Sequence, residues 1–124
     1  NNTSQEFDNL RQEGLDDVHG KVLARALKLN TSLKELILIS NNFGDEGAQA
    51  IAAALKNNTT LRELRLHKNK IGDVAAQAIA AALQENKTLR LLFLPDNTIS
   101  DDVKEELKKV WEPPRYPGNL VFRD

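Results

Sequence analysis

Two histidines, His19 and His67, are the only imidazoles in a chain without cysteine, so few side chains could act as base, nucleophile or soft metal ligand. They belong to different predicted elements, His19 to a helix and His67 to a strand. No Ser–His–Asp spacing and no two-histidine metal pattern follows from them. His67 stands two residues from Arg65 and reads as a contact residue, not a base. Four aspartates, Asp17, Asp45, Asp73 and Asp101, recur every 28 residues. Such a row suggests cations, but each aspartate falls at a predicted helix start. There the free amides and the positive end of the helix dipole draw a carboxylate as a cap. Gly44 and Gly72 are isolated turn glycines suited to a positive φ, replaced by Ser100 in the third copy, and form no phosphate loop. Asn-x-Ser/Thr triplets begin at Asn1, Asn2, Asn30, Asn57, Asn58 and Asn86. Asn30, Asn58 and Asn86 recur at the same period, where asparagine suits the end of a helix before a return loop better than a glycan. No catalytic residue, cofactor or metal is expected, and the chain reads as a non-enzyme.

The period itself carries the fold. Residues 33–60 align with 61–88 at 17 of 28 positions, and a third copy of the front half begins at Leu89. A constant period across a chain means stacked units. Each unit opens with L-x-x-L-x-L-x-x-N, whose period-two alternation predicts a strand with one buried face. A Gly-Asp turn follows, then an alanine-rich segment in which Ala48, Ile51, Ala52 and Leu55 form one helical stripe. Strands reached through helical crossovers pair in parallel. Strands stack at about 4.8 Å and helices at about 8–10 Å, so the stack bends with the sheet inside. The expected fold is α/β: a short right-handed solenoid, a horseshoe with a parallel sheet on the concave face and about four helices on the convex face.

One domain, 1–124, divides accordingly. Residues 1–32 form a degenerate N-terminal capping repeat, 33–60 and 61–88 are full repeats, and 89–112 is the last. Residues 113–124 are a tail with a capping strand, since Leu120 and Phe122 fall one period after Leu92 and Leu94. VHGKVLARALKLN reads as the first helix, with Leu23 and Leu27 in the positions of Ile51 and Leu55. In the last helix Val103, Leu107, Val110 and Trp111 make a bulkier, closing stripe, ended by Pro113 and Pro114.

Outward-facing strand positions form three ladders across the sheet: Phe7, Glu35, Glu63, Leu91; Asn9, Ile37, Arg65, Phe93; and Arg11, Ile39, His67, Pro95. Ile37, Ile39, Leu91 and Phe93 are apolar where solvent is expected, with Arg65 and His67 between them. Apolar and aromatic side chains beside arginine are the usual composition of an interface centre. The candidate partner-binding face is therefore Glu35, Ile37, Ile39, Glu63, Arg65, His67, Leu91 and Phe93. The same residues also suit a sheet simply by raising β-propensity.

Composition narrows the rest. Seventeen basic and 18 acidic residues give a net charge of −1, so nothing points to nucleic acid or an anionic membrane. No apolar run reaches the roughly 18 residues of a membrane helix. Lack of cysteine fits a reducing, intracellular and cytoplasmic setting. A start at Asn1, with no signal-peptide pattern, fits a processed product or a piece of a longer chain.

The motif LxxLxLxxNxI-GDxxAxAIAxAL at a 28-residue period resembles the ribonuclease-inhibitor-like class of leucine-rich repeats. Similar repeats occur in NOD-like receptors, Ran GTPase activators and tropomodulins. The resemblance covers roughly residues 15–100 and implies a protein-binding scaffold with an unidentified protein partner. It also implies that the column Asn41, Asn69 and Asn97 bonds the turn backbones of neighbouring repeats, Glu13 replacing it in the first unit. No residue matches the arginine-bearing loop of Ran activators, which leaves GTPase regulation a distant third. A self-assembling repeat fragment, a homo-oligomer joined through solenoid ends, is the alternative to a binding module.

Overall fold

The computed structural model describes residues 14–29, 31–39, 41–111 and 119–122. Among these residues four helices alternate with four strands: α1 (Asp17–Leu29), β1 (Glu35–Ile37), α2 (Asp45–Asn57), β2 (Glu63–Arg65), α3 (Asp73–Glu85), β3 (Leu91–Phe93), α4 (Asp101–Trp111) and β4 (Asn119–Val121). The strands lie side by side in chain order, all parallel. Each is only three residues long, shorter than the leucine alternation suggests. The flanking leucines extend the ladder beyond the strands: Leu38 N donates to Arg65 O, and Leu66 N to Phe93 O. The expected first strand, with Phe7, Asn9, Arg11 and Glu13, lies outside the described residues.

Register follows the 28-residue period throughout. Leu36 pairs with Leu64, Leu64 with Leu92 and Leu92 with Leu120. These central leucines turn towards the helices, and Leu36, Leu64 and Leu92 are fully buried. The helix stripe meets them from the other side: Ala48, Ile51, Ala52 and Leu55 of α2 and Ala76, Ile79, Ala80 and Leu83 of α3 are buried. One apolar layer thus runs the length of the stack, as a solenoid requires. Small residues let the helices close up. A Cβ on Gly20 of α1 would lie 2.7 Å from Gly47 Cα of α2, so the two backbones touch where glycine faces glycine.

The last unit closes with larger side chains. Val103 and Leu107 of α4 are buried, while Val110, Trp111, Leu120 and Phe122 are half-buried against the core. Lys104 Nζ stands 5.6 Å from the Phe122 ring centre, a cation held over its face.

Leu64 lies in the middle of this layer, packed from both neighbouring repeats. Leu64→Ala should lower stability by about 2–5 kcal/mol through lost burial and the cavity left behind. A urea melt measures it; a loss below about 0.5 kcal/mol, that of a surface site, would contradict the register.

Candidate functional site

On the sheet face turned away from the helices, the pairing sets Glu35, Glu63, Leu91 and Asn119 in one row, and Ile37, Arg65, Phe93 and Val121 in the next. Ile37, Arg65, Leu91 and Phe93 are half-buried and Glu35 is exposed; Ile39 and His67, in the following turns, are half-buried as well. The structure therefore brings these candidates onto one face. Their shared surface is a patch of aliphatic and aromatic groups around one cation.

Phe93 organises the patch. The Arg65 guanidinium carbon lies 4.8 Å from the Phe93 ring centre, close enough for a cation–π contact. The His67 ring stacks on Phe93 at 5.3 Å between centres and 19° between planes. Both contacts follow from register, since Arg65 is the cross-strand partner of Phe93 and His67 begins the adjacent turn. Parallel neighbours at strand spacing present their side chains to one another.

Glu63 departs from the expectation for this face. Alternation aims it outward, yet it is 8% exposed. The Arg65 guanidinium folds back along its own strand, and Nε donates to Glu63 Oε2. Covered by Arg65 and the neighbouring rows, the carboxylate is a structural counter-ion more than a contact residue. Pro95, in the third row, is likewise buried.

The aspartate row caps helices, though not the helices it begins. α2 and α3 have Gly44 and Gly72 at their N-caps, with no side-chain cap of their own. Asp17 Oδ1 instead accepts from Gly44 N at 2.7 Å and Gly47 N at 2.9 Å in the next repeat. Asp45 Oδ1 accepts from Gly72 N at 2.7 Å, and Asp73 Oδ1 from Ser100 N at 2.7 Å. As the first residue of its helix, each of Asp17, Asp45 and Asp73 projects sideways to the neighbouring helix start, where free amides and two dipole ends converge. The glycines are not there for positive φ: Gly44 has φ −99° and Gly72 −107°. A Cβ on Gly44 would stand 3.2 Å from Asp17 Oδ2, so glycine leaves room for the incoming carboxylate. α1 and α4 carry side-chain caps of their own. Asp16 accepts from Val18 N and pairs with His19 Nδ1 at 3.0 Å, a contact that holds its carboxyl below the usual range. Ser100 Oγ lies 3.4 Å from Val103 N.

Two asparagine columns do similar work at the repeat corners. Asn69 Oδ1 accepts from Phe43 N, and Nδ2 donates to Leu38 O of the preceding repeat and to Leu66 O and His67 O of its own. Asn97 repeats this with Ile71 N, Leu66 O, Leu94 O and Pro95 O, and Asn41 accepts from Leu15 N. At the helix C-caps, Asn58 Nδ2 donates to Leu27 O and Asn86 Nδ2 to Leu55 O and Asn58 O. Both amides are buried, which closes these two Asn-x-Thr triplets to a glycan. Among the described residues no three of His, Cys, Asp and Glu gather as a metal site would need. No described helix is long and apolar enough to cross a membrane.

A family model described as leucine rich repeat matches residues 29–52 and 57–80. A solved structure titled "Leiomodin-1 Actin-Binding Site 2 (ABS2)" superposes with a TM-score of 0.79 at 25% identity, covering 98% of this chain and 72% of that one. No curated protein sequence matches significantly. Residues 29–52 and 57–80 thus match leucine-rich repeats, and the fold is consistent with a repeat solenoid of the ribonuclease-inhibitor-like class.

Asp45→Ala should cost about 0.5–2 kcal/mol, because Gly72 N loses its acceptor. Its melting curve, like that of the parent chain, should be the same in calcium, magnesium or chelator; a rise with either ion would make the row a cation site. Arg65→Ala should cost roughly 0.5–1.5 kcal/mol, because Glu63 loses the guanidinium that both bonds and covers it. Adding Glu63→Gln should recover part of that loss, as a double-mutant cycle in urea would measure.

Proposed function

We propose that this protein is a non-catalytic interaction module whose sheet face binds a protein partner, with Phe93 as its anchor and Ile37, Ile39, Arg65, His67 and Leu91 around it. The observation that carries this reading is the Phe93 ring, half-buried and held by Arg65 on one strand and His67 in the next turn. An aromatic fixed in place loses little entropy on binding, and a ring beside arginine in an apolar surround is the usual composition of an energetic centre. Helices pack wider apart than strands, which bends such a stack with its sheet inside, where a partner would touch several repeats at once. Glu35 stays in the face as its exposed acidic rim, and Glu63 acts from beneath by orienting Arg65. The structural neighbour titled as an actin-binding site gives a first partner to try: actin, tested directly with the intact chain.

Self-association through the stack ends is the competing arrangement. The half-buried Leu120 and Phe122, with Lys104 over the Phe122 ring, favour a covered end over a sticky one. A monomeric mass in solution, unchanged by Leu120→Glu, is the expected result.

Phe93→Ala should weaken partner binding by about 1–3 kcal/mol while lowering stability by roughly 1 kcal/mol or less. Titration against actin, or against a partner captured with the intact chain, measures the first quantity and urea unfolding the second. A partner whose affinity survives both Phe93→Ala and Ile37→Asp does not use this face, and the proposal fails.

A further inference from the structure

Lys34, Arg62 and Arg90 stand one period apart, each immediately before its strand. Backbone bonds lock them side by side: Arg62 N donates to Lys34 O and Arg90 N to Arg62 O, both at 2.8 Å. Three cations therefore share one column at strand spacing, about 4.8 Å between neighbours. Lys34 and Arg62 are exposed and Arg90 is half-buried. Among the described residues none of the three has a carboxylate within ion-pair distance. The two guanidiniums are nonetheless held in place. Arg62 Nη1 donates to Thr59 O and Thr60 O at 3.4 Å, and Arg90 Nη1 to Lys87 O at 2.8 Å and Leu89 O at 3.4 Å. One nitrogen of each fork rests on its own return loop, and the remaining donors stay available. Like charges in a column repel, and among the described residues only backbone carbonyls, not carboxylates, meet the two guanidiniums.

We propose that this column is a docking strip for an extended acidic protein segment that crosses the strand starts and continues onto the patch around Phe93. The inference rests on the sheet face being the binding surface and adds the partner's chemistry. Forked guanidiniums held at regular spacing suit carboxylates, which they can meet with two parallel hydrogen bonds. The strip is one residue wide, with exposed Glu35 beside Lys34 and the apolar Leu91 beside Arg90. A phosphate backbone would meet Glu35 and gain nothing from Leu91 or Phe93. A peptide can alternate acid and apolar side chains to match both rows. The net charge of −1 also leaves no general attraction for nucleic acid.

The probe is a fluorescein-labelled octaglutamate peptide, titrated into the intact chain by fluorescence anisotropy, with amide shifts followed by NMR. Binding should weaken about tenfold as salt rises from roughly 20 to 200 mM. The largest amide shifts should fall at residues 33–35, 61–63 and 89–91. The pair Arg62→Glu and Arg90→Glu should weaken binding at least about tenfold, and Lys108→Glu with Lys109→Glu, the same charge change on α4, should not. Should the Glu pair fail to fold, Arg62→Gln with Arg90→Gln replaces it, with a smaller loss expected. Equal losses in the strip and α4 variants, shifts centred elsewhere, or tighter binding of a single-stranded octanucleotide than of the peptide would each overturn the strip. A strip that fails beside a partner still dependent on Phe93 overturns this inference alone; a strip that works without any Phe93-dependent partner overturns the proposed function alone.

Discussion

Every corner of this stack presents backbone amides and carbonyls that no helix or strand can satisfy, and their burial makes satisfying them obligatory. Side chains from adjacent repeats do so. Asn69 alone engages Phe43 N, Leu38 O, Leu66 O and His67 O, so one amide ties two repeats together and closes its own turn. Asp17, Asp45 and Asp73 do the same at helix starts, and Asn58 and Asn86 at helix ends. The apolar layer supplies most of the favourable free energy. The polar bridges decide which register it is supplied in, since a slip would strand several buried groups at once. Strands of three residues suffice because the ladder they begin is continued by these corners.

The sheet face inherits its order from that register. Phe93 meets Arg65 because both occupy the same row of successive repeats, and His67 because the turn after β2 is held by Asn69. Glu63 lies beneath the guanidinium, so the cation over the ring is anchored from below. Two residues in this region take left-handed backbone, Lys68 at φ 56° and Asp96 at φ 60°, each just past the row that flanks Phe93. A corner tight enough to impose that conformation on non-glycine residues also limits how far His67 can wander.

Much of this is legible in the sequence. The period sets strand order and register, the leucine columns set the core, and Arg65 over Phe93 follows from two residues one period apart. What the sequence conceals is direction in three dimensions. Asp45 reads as the cap of the helix it begins, because the chain shows that helix beside it and not the neighbour its side chain reaches. Gly44 reads as a positive-φ turn, although its role is space for Asp17. Glu63 alternates outward with its strand, and only the path of the long Arg65 side chain puts it under cover. Each departure involves a contact between repeats or a side chain lying along the surface, and a one-dimensional pattern encodes neither. The column Asn41, Asn69 and Asn97 succeeds where the aspartates do not because the family resemblance already assigns it to neighbouring turns.

The trans-acting aspartates have a consequence for how such a chain can change its length through evolution. Each repeat presents a carboxylate to the unit after it and an unfilled helix start to the unit before it. Any copied block of one full period therefore meets complementary neighbours at both seams and leaves no donor stranded. A block that is not a whole number of periods would break the chain of caps at two places. The 17 identities in 28 positions between residues 33–60 and 61–88 are the trace such in-frame duplication leaves. Duplication favours units such as these, whose glycine N-caps depend on a neighbour for their acceptor.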